Sequence, residues 1–326
     1  MGIFSDVLGS HEPLQKRANF SKDLLQKIQT KLTDSSICNR PDLCIYAAGS
    51  LARHETGRES DLDLFFISRG DPKSENSRTI SRLGEIQIFS DLIRLNEELS
   101  LDPFSGDGKY LKIHELKNII DGTGSSEDDS ENLFTTRLLL LLESKMLAGQ
   151  LVYSSAVELV LENYFRDGRG RKDFRPLFLL NDILRYWRTL CLNYERDRAQ
   201  PDKPWWKRNL NLKFPRKLTV FSTVLAMIAT RMSTANEFAA ISAMTPMERL
   251  AYALDTMNDP EFEAAFASTL DDYEFFLAAK SHRDLEEPTP AQLGDYSERA
   301  QRFDQFFQAV FASPKLERRL VQYVLI

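Results

Sequence analysis

Apolar residues recur with two different periods along this chain, and these periods predict its elements. A helical spacing of apolar residues predicts a helix at 13–32. Two short runs rich in strand formers predict strands at 43–48 and 62–68, and the second run ends in the turn-forming sequence Arg-Gly-Asp-Pro. A further helix is predicted at about 77–99 and a third strand at 110–116. Together these segments predict a small mixed sheet with flanking helices.

After residue 131 the apolar pattern is helical and gives almost no sign of a strand. A buried helix is predicted from 133 to about Gly149, a residue suited to end it. Another helix is predicted at 176–195, with Pro176 at a favourable first-turn position, and further helical segments follow it. The second part of the chain is therefore predicted to be all α.

The change of pattern falls in a polar, acidic and Gly/Ser-rich run at 122–131, which is the expected domain boundary. The expected fold class is α+β, with a small mixed-sheet domain at 1–125 and an all-α helical bundle domain at 126–326. A length of 326 residues fits two domains. We expect a cleft between the two.

Composition narrows the class of protein. Hydrophobic residues make up 42% of the chain, enough for ordinary buried cores. The net charge of −6 means that any nucleic-acid site would have to be a local basic patch. Three widely spaced cysteines, Cys38, Cys44 and Cys191, fit neither a disulfide framework nor a zinc site. With no signal-peptide pattern and no apolar run long enough to span a bilayer, we expect a cytoplasmic protein without a membrane partner.

Two aspartates, Asp61 and Asp63, stand at the mouth of the second predicted strand. Alternate strand residues point the same way, so both carboxylates are expected on one face. Two like charges held there repel each other, and a divalent cation would compensate them. Mg²⁺ prefers hard oxygen ligands and is usually held by one or two carboxylates plus substrate phosphates. The pair therefore predicts a Mg²⁺ site, with Mn²⁺ as the alternative ion.

The Gly49-Ser50 pair follows the first predicted strand and is expected to open a short helix at 51–55. Glycine lets the backbone approach a phosphate closely, and exposed N–H groups at a helix start favour anions. Ser50 adds a hydroxyl donor. Arg53 and Arg58 are close enough in sequence to reach the same phosphates.

The whole stretch GSLARHETGRESDLDLFF, residues 49–66, resembles the signature of the polymerase-β-like nucleotidyltransferase superfamily. Within it, the stretch is similar to the minimal nucleotidyltransferases and to the N-terminal domain of the bacterial nitrogen-regulatory uridylyltransferase. The segments NDILRYWRTLCLNYE and NLKFPRKLTVFS are similar to parts of bacterial two-domain nucleotidyltransferase-like proteins. The resemblance implies transfer of a nucleoside monophosphate from an NTP, with ATP expected, and release of pyrophosphate.

The resemblance also assigns roles to residues. It makes Asp61 and Asp63 the metal ligands and catalytic residues, and it places Gly49 and Ser50 around the phosphates with Arg53 as a charge stabiliser. The acceptor stays open and is a protein, an RNA, a small molecule or another nucleotide. The alternative is a catalytically degenerate module, antitoxin-like or regulatory, that binds nucleotide, RNA or a partner protein.

Many active members of the superfamily carry a third carboxylate on a later strand, and 110–116 is the matching segment. The options there are Glu115 and Asp107, with His114 beside them, while Lys112 occupies the middle of the strand, where an acid is expected. Whether one of these acids completes the metal site is the main question in deciding whether the chain is an active enzyme or a degenerate module.

A polar stripe is predicted on the helix at 176–195, where Asn181, Arg185 and Arg188 are spaced i, i+4 and i+7. The two arginines are predicted to face the nucleotide. The stripe could equally be a solvated face with an ion pair to Asp182 or Glu195.

The segment 203–217 holds six basic residues and no acids, interleaved with Trp205, Trp206 and Phe214. Such a segment can bind single-stranded RNA through phosphate contacts and base stacking, and it can also hold a triphosphate. The alternative is a loop whose aromatic side chains pack into the helical core while its lysines remain solvated.

Overall fold

The computed structural model describes residues 2–57, 60–70, 80–104, 108, 111–168, 171, 173–199, 205–280 and 288–325. The chain divides into two compact units. One unit, here called the sheet unit, is Lys16–Asp167. The other, here called the helical unit, consists of Met1–Gln15 and Gly168–Ile326.

The sheet unit contains a small mixed sheet, as the apolar pattern predicts, but the sheet has four strands rather than the predicted three. The strands are β1 Leu43–Ala47, β2 Leu64–Ser68, β3 Ile113–Glu115 and β4 Lys145–Ala148. Their order across the sheet is β3-β2-β1-β4. Strand β1 is antiparallel to β2 and to β4, whereas β2 and β3 are parallel.

Helices account for most of the rest of the chain. The α-helices that the structure describes are, in chain order, α1 Ile3–Ser10, α2 Glu12–Thr33, α3 Gly49–Ala52, α4 Arg82–Glu98, α5 Leu116–Asp121, α6 Ser126–Ser130, α7 Leu133–Leu142, α8 Gln150–Phe165, α9 Leu177–Arg196, α10 Trp205–Asn211, α11 Lys217–Ala229, α12 Ala235–Ser242, α13 Pro246–Met257, α14 Glu263–Lys280, α15 Pro290–Ala312 and α16 Arg318–Leu325. Among the described residues, no helix has both the length and the apolar character needed to cross a bilayer.

The sheet packs against helices on both faces. On one face, alternate residues of β1 and β2 such as Ile45 and Phe66 join a core with Ile28 of α2 and Ile88 of α4. On the other face Tyr46 stacks on Phe65, with ring centroids 5.5 Å apart. The Tyr46 ring also forms a T-shaped pair with Tyr153 of α8, at 6.2 Å between centroids. This alternation of buried side chains holds the sheet in one register.

The predicted long helix from 133 to Gly149 is wrong in its second half. Helix α7 ends at Leu142, and 145–148 forms strand β4, which we did not expect. The segment has little strand propensity of its own, but its backbone pairs with β1, and this pairing outweighs the local preference. Gly149 has φ +77°, and a Cβ there would lie 2.0 Å from the carbonyl oxygen of Leu43, so glycine lets α8 start close against β1.

The run 122–131, expected to be the domain boundary, is packed inside the sheet unit. Asp128, on α6, is fully buried and forms a bidentate ion pair with the equally buried Arg137, with both N···O distances 2.8 Å. The guanidinium also donates to the hydroxyl of Tyr164 at 2.8 Å and to the carbonyl of Ile119 at 3.1 Å. The expected boundary between 125 and 126 therefore falls inside a compact unit whose last residue is Asp167.

Every element that the structure describes between 168 and 326 is a helix or a helical turn. An aromatic cluster holds this unit together, and Phe214 lies within it, stacked on Phe276 with centroids 5.1 Å apart. The same ring contacts Phe303 at 5.0 Å. Phe214 belongs to a π-helical turn at 212–216 that also contains Pro215 and joins α10 to α11. A proline cannot donate the usual helical hydrogen bond, which accounts for the widened turn.

We predict that Arg137→Met lowers the free energy of unfolding by about 3–5 kcal/mol, because it leaves the Asp128 carboxylate buried without its cation. Urea unfolding followed by circular dichroism measures the change. Arg94→Met is the matched control, since Arg94 forms an exposed pair with Asp91 and should cost about 0–1 kcal/mol. Equal effects of the two substitutions would contradict the structural role of the buried pair.

Candidate active site

Asp61 and Asp63 lie immediately before β2, at the edge of the sheet where β1 ends. Burial alternates here: Leu62 and Leu64 are buried, and both aspartates are half-exposed. The carbonyl of Asp63 accepts a hydrogen bond of 2.9 Å from the backbone N–H of Ala48. This bond continues the β1–β2 ladder by one step and fixes the backbone of Asp63 beside the end of β1. The alternation agrees with the expectation that both carboxylates share one face.

Gly49 lies directly against the carboxylate of Asp63. Its φ is +64°, in the left-handed region that glycine adopts without strain. A Cβ at this position would lie 2.2 Å from Oδ2 of Asp63, far inside van der Waals contact. The backbone angle therefore favours glycine, and the present position of the Asp63 carboxylate requires it.

Helix α3 is a single turn of four residues, Gly49–Ala52, rather than the predicted 51–55. Its carbonyls are used locally: Gly49 accepts from the N–H of Arg53 at 3.1 Å, and Ser50 accepts from the N–H of Glu55 at 2.8 Å. So short a helix supplies individual N–H groups rather than a macrodipole. Ser50 is 8% exposed, and its hydroxyl makes no hydrogen bond to any residue that the structure describes.

Arg53 is buried between two carboxylates. Its Nε donates to Glu55 at 2.7 Å and its Nη1 donates to Glu143 at 3.0 Å, and all three side chains are buried. The guanidinium thus ties the α3 turn to the residues just before β4. A contact between Arg53 and a nucleotide stays a prediction, whereas its contact with the two acids is a feature of the fold.

Glu143 is the member of this group that sequence reasoning missed. It follows directly on the apolar run Leu138–Leu142, and an acid that such a run carries into the core needs a cationic or hydrogen-bonding partner. That signal could have marked Glu143 as a partner for a basic residue, although not for Arg53 in particular. Arg58, also predicted to reach the phosphates, lies outside the described residues.

The register of β3 decides the position of one third-acid candidate. Glu115 pairs with Ser68, at the end of β2 opposite to Asp63. The five residue steps from Asp63 to Ser68 span about 16 Å at the usual rise of a strand. Glu115 therefore cannot bind the same ion as Asp63. Asp107, the other candidate, lies outside the described residues, and within the described part of the chain no three His, Cys, Asp or Glu side chains form a metal-binding group.

His114, in the middle of β3, is 6% exposed. Its pKa is lowered from 6.5 to about 4, mainly by burial and also by the positive charge of Lys112, against a smaller opposing effect of Glu131. The ring is therefore neutral at physiological pH. It belongs to the strand and has no place beside the two aspartates, because it pairs with Ile67.

Arg185 and Arg188 lie on α9 in the helical unit. Arg185 is half-buried, and its Nη1 lies 3.8 Å from the carboxylate of Asp182. Arg188 and Asn181 are exposed. Within this unit the stripe thus includes the ion pair to Asp182 that we considered as an alternative. Contact of the two arginines with a nucleotide stays a prediction.

The basic segment 203–217 is described from Trp205 onward and is helical there. Trp206 stacks on Tyr296, with centroids 5.7 Å apart and the rings 17° from parallel. Arg208 donates to the carbonyl of Asp197 at 2.8 Å. These contacts accord with the structural alternative, in which the aromatic residues pack into the helical unit. RNA contact through the segment stays a prediction.

Comparison with known proteins adds no relative to these observations. No family model, curated protein or solved structure matches the chain. Support for a function therefore comes from the residues at 47–63 and from their geometry.

We predict that Gly49→Ala lowers the free energy of unfolding by about 1–3 kcal/mol, since a side chain must adopt a positive φ there. It also pushes the Asp63 carboxylate from its place. Thermal unfolding measures the first effect. Gly294→Ala is the matched control: Gly294 lies in α15 with nothing within 4 Å of the added Cβ, so alanine should stabilise by up to about 1 kcal/mol. Tolerance of alanine at position 49 would show that the turn is not as tight as described.

We predict a loss of stability between pH 6.5 and about 4 that depends on His114. In this window the unfolded chain binds a proton at this histidine and the folded chain does not, so stability is complete above pH 6.5 and falls as the pH falls. The loss amounts to roughly 3 kcal/mol at the lower end. Urea unfolding of wild type and His114→Gln across this range isolates the effect, because other groups contribute equally to both. Parallel pH profiles would refute the assignment.

Proposed function

We propose that the chain is a metal-dependent nucleotidyltransferase that transfers a nucleoside monophosphate from an NTP to an acceptor and releases pyrophosphate. The observation that carries the proposal is the meeting of three features at one sheet edge. These are the Asp61 and Asp63 pair, the Gly49 backbone in contact with Asp63, and Ser50, the next residue of the same turn. The motif alone fixes only the order of these residues, whereas the fold brings them together.

The two carboxylates suit a divalent cation. They are half-exposed, they alternate along the chain, and one of them lies in a space that only glycine leaves open. Asp61 and Asp63 would hold Mg²⁺ or Mn²⁺, which supplies charge neutralisation for the phosphates when bound. Within the described residues the metal would have two protein ligands, Asp61 and Asp63, so substrate phosphates and water would complete its coordination.

In the reaction, an acceptor hydroxyl oxygen forms a bond to the α-phosphorus of the NTP. The bond from that phosphorus to the bridging oxygen breaks, and pyrophosphate leaves with the electron pair. The proton of the acceptor passes to a base, for which Asp107 is the remaining candidate among the two acids considered. Ser50 and the N–H groups of its turn would bind the β and γ phosphates and hold the α-phosphorus in line for attack.

A second candidate function is nucleotide binding without transfer, in a regulatory or antitoxin-like module. The position of Glu115 at the far end of β2 favours it, because this acid is removed from the site. Binding of Mg·ATP with no release of pyrophosphate under any acceptor condition would support this second function. Strong RNA binding that weakens as salt rises would instead indicate the third role considered, through 203–217.

We predict that Asp63→Asn lowers metal-dependent binding of ATP at least about tenfold, since the amide keeps the shape of the carboxylate and removes its charge. Isothermal titration calorimetry with Mg·ATP measures binding, and incubation with Mg²⁺, α-labelled ATP and cell lysate measures transfer. Both should fall together if the chain is an enzyme.

Asp23→Asn is the control for this prediction. Asp23 is an exposed acid on α2, so its amide variant should bind Mg·ATP as wild type does. Melting temperatures of both variants establish that they are folded. The same affinity for Mg·ATP in wild type and Asp63→Asn would end the proposal.

A further inference from the structure

The helical unit contains a cavity of about 540 Å³ that the proposed nucleotide site does not use. Its walls come from α9, from the start of α11, from the C-terminal half of α15 and from α16. Cavities of this size hold small organic ligands, and such sites are mostly apolar with a few polar groups that orient the ligand. Both features are present here.

Aromatic rings form the apolar part of the cavity. Phe221 is central: its ring centroid lies 5.2 Å from that of Trp187 and 6.1 Å from those of Phe307 and Phe311. The first pair is edge-to-face, at 71° between ring planes. A flat aromatic ligand can add to such a group through the same edge and face contacts. The rings therefore favour an aromatic ligand over a polar one.

The charged groups of the cavity favour an anion. Lys217 and Arg318 are the two cations in its lining, against one carboxylate, Asp304. Lys217 pairs with Asp304, and its Nζ lies 5.8 Å above the ring of Trp187. Arg318 is exposed and forms no ion pair within the part of the chain that the structure describes. The lining is thus net positive, although the whole chain carries a net charge of −6.

We propose that this cavity binds a small aromatic carboxylate. The ring system packs against Phe221 and Trp187, and the carboxylate is held by Arg318, with the partly buried Lys217 as the second cation of the lining. A charge-assisted hydrogen bond to a guanidinium orients the ligand. The inference does not depend on the proposed nucleotidyl transfer, because all the residues that carry it belong to the helical unit.

The test uses the full chain and 2-naphthoate as the probe, with isothermal titration calorimetry. We expect one site, and an affinity for 2-naphthoate about tenfold or more above that for 2-naphthalenemethanol, which has the same rings without the charge. The cationic analogue 2-naphthylmethylammonium should bind more weakly than the alcohol. In Arg318→Gln the preference for the carboxylate over the alcohol should shrink, while the alcohol binds as before.

Two variants that fill the cavity test its location. Gln322→Trp places an indole in the cavity from α16, and Gln308→Trp does so from α15. Either should weaken binding of 2-naphthoate by about tenfold or more. Gln305→Trp is the matched control, because Gln305 is an exposed residue of α15 outside the lining and should leave the affinity unchanged. Having two filling variants keeps the test decisive if one of them fails to fold.

Three results would overturn the proposal. One is the absence of 2-naphthoate binding to the wild-type chain. Another is equal affinity for the carboxylate and the alcohol, which would show that charge plays no part. The last is unchanged binding in a folded filling variant, which would place the ligand elsewhere, for example with the nucleotide site.

Discussion

The contact between the backbone of Gly49 and the carboxylate of Asp63 constrains the whole candidate site. A Cβ on residue 49 would lie 2.2 Å from Oδ2 of Asp63, so the carboxylate can occupy its present position only because residue 49 has no side chain. The hydrogen bond from the backbone N–H of Ala48 to the carbonyl of Asp63 also fixes the register of β1 and β2 at this point. The end of β1, the Gly-Ser turn and the Asp63 carboxylate therefore fix one another's positions.

The turn that follows needs its own support, because a helix of one turn has little stability alone. Arg53 provides it by joining Glu55 within the turn to Glu143 before β4. Burying these charges is costly, and the cost is offset only while all three remain together. This explains why a basic residue so close to the aspartates points into the fold. The same side chain cannot leave for a phosphate without exposing two buried acids to each other.

Local secondary structure could be predicted from the sequence, whereas contacts between residues far apart in the chain could not. The helix at 13–32, the strands β1 and β2 and the Gly-Ser turn follow from spacing and turn chemistry within a few residues. Strand β4 does not, because its four residues become a strand only by pairing with β1 about a hundred positions earlier. The run 122–131 has the composition of a linker. Only its buried ion pair, between Asp128 and Arg137, shows that the run is packed into the fold.

The direction of the strands bears most directly on what the site can do. Since β3 runs parallel to β2 and Glu115 pairs with Ser68, this acid belongs to the opposite edge of the sheet from Asp63. At the edge of Asp63, the end of β1 pairs on its other side with Lys145, the first residue of β4. The edge therefore has two acids just before β2, the Gly-Ser turn after β1, and a lysine on β4. A third acid that shares an ion with Asp63 must come from a segment that reaches the start of β2, and this requirement separates a transferase from a module that only binds.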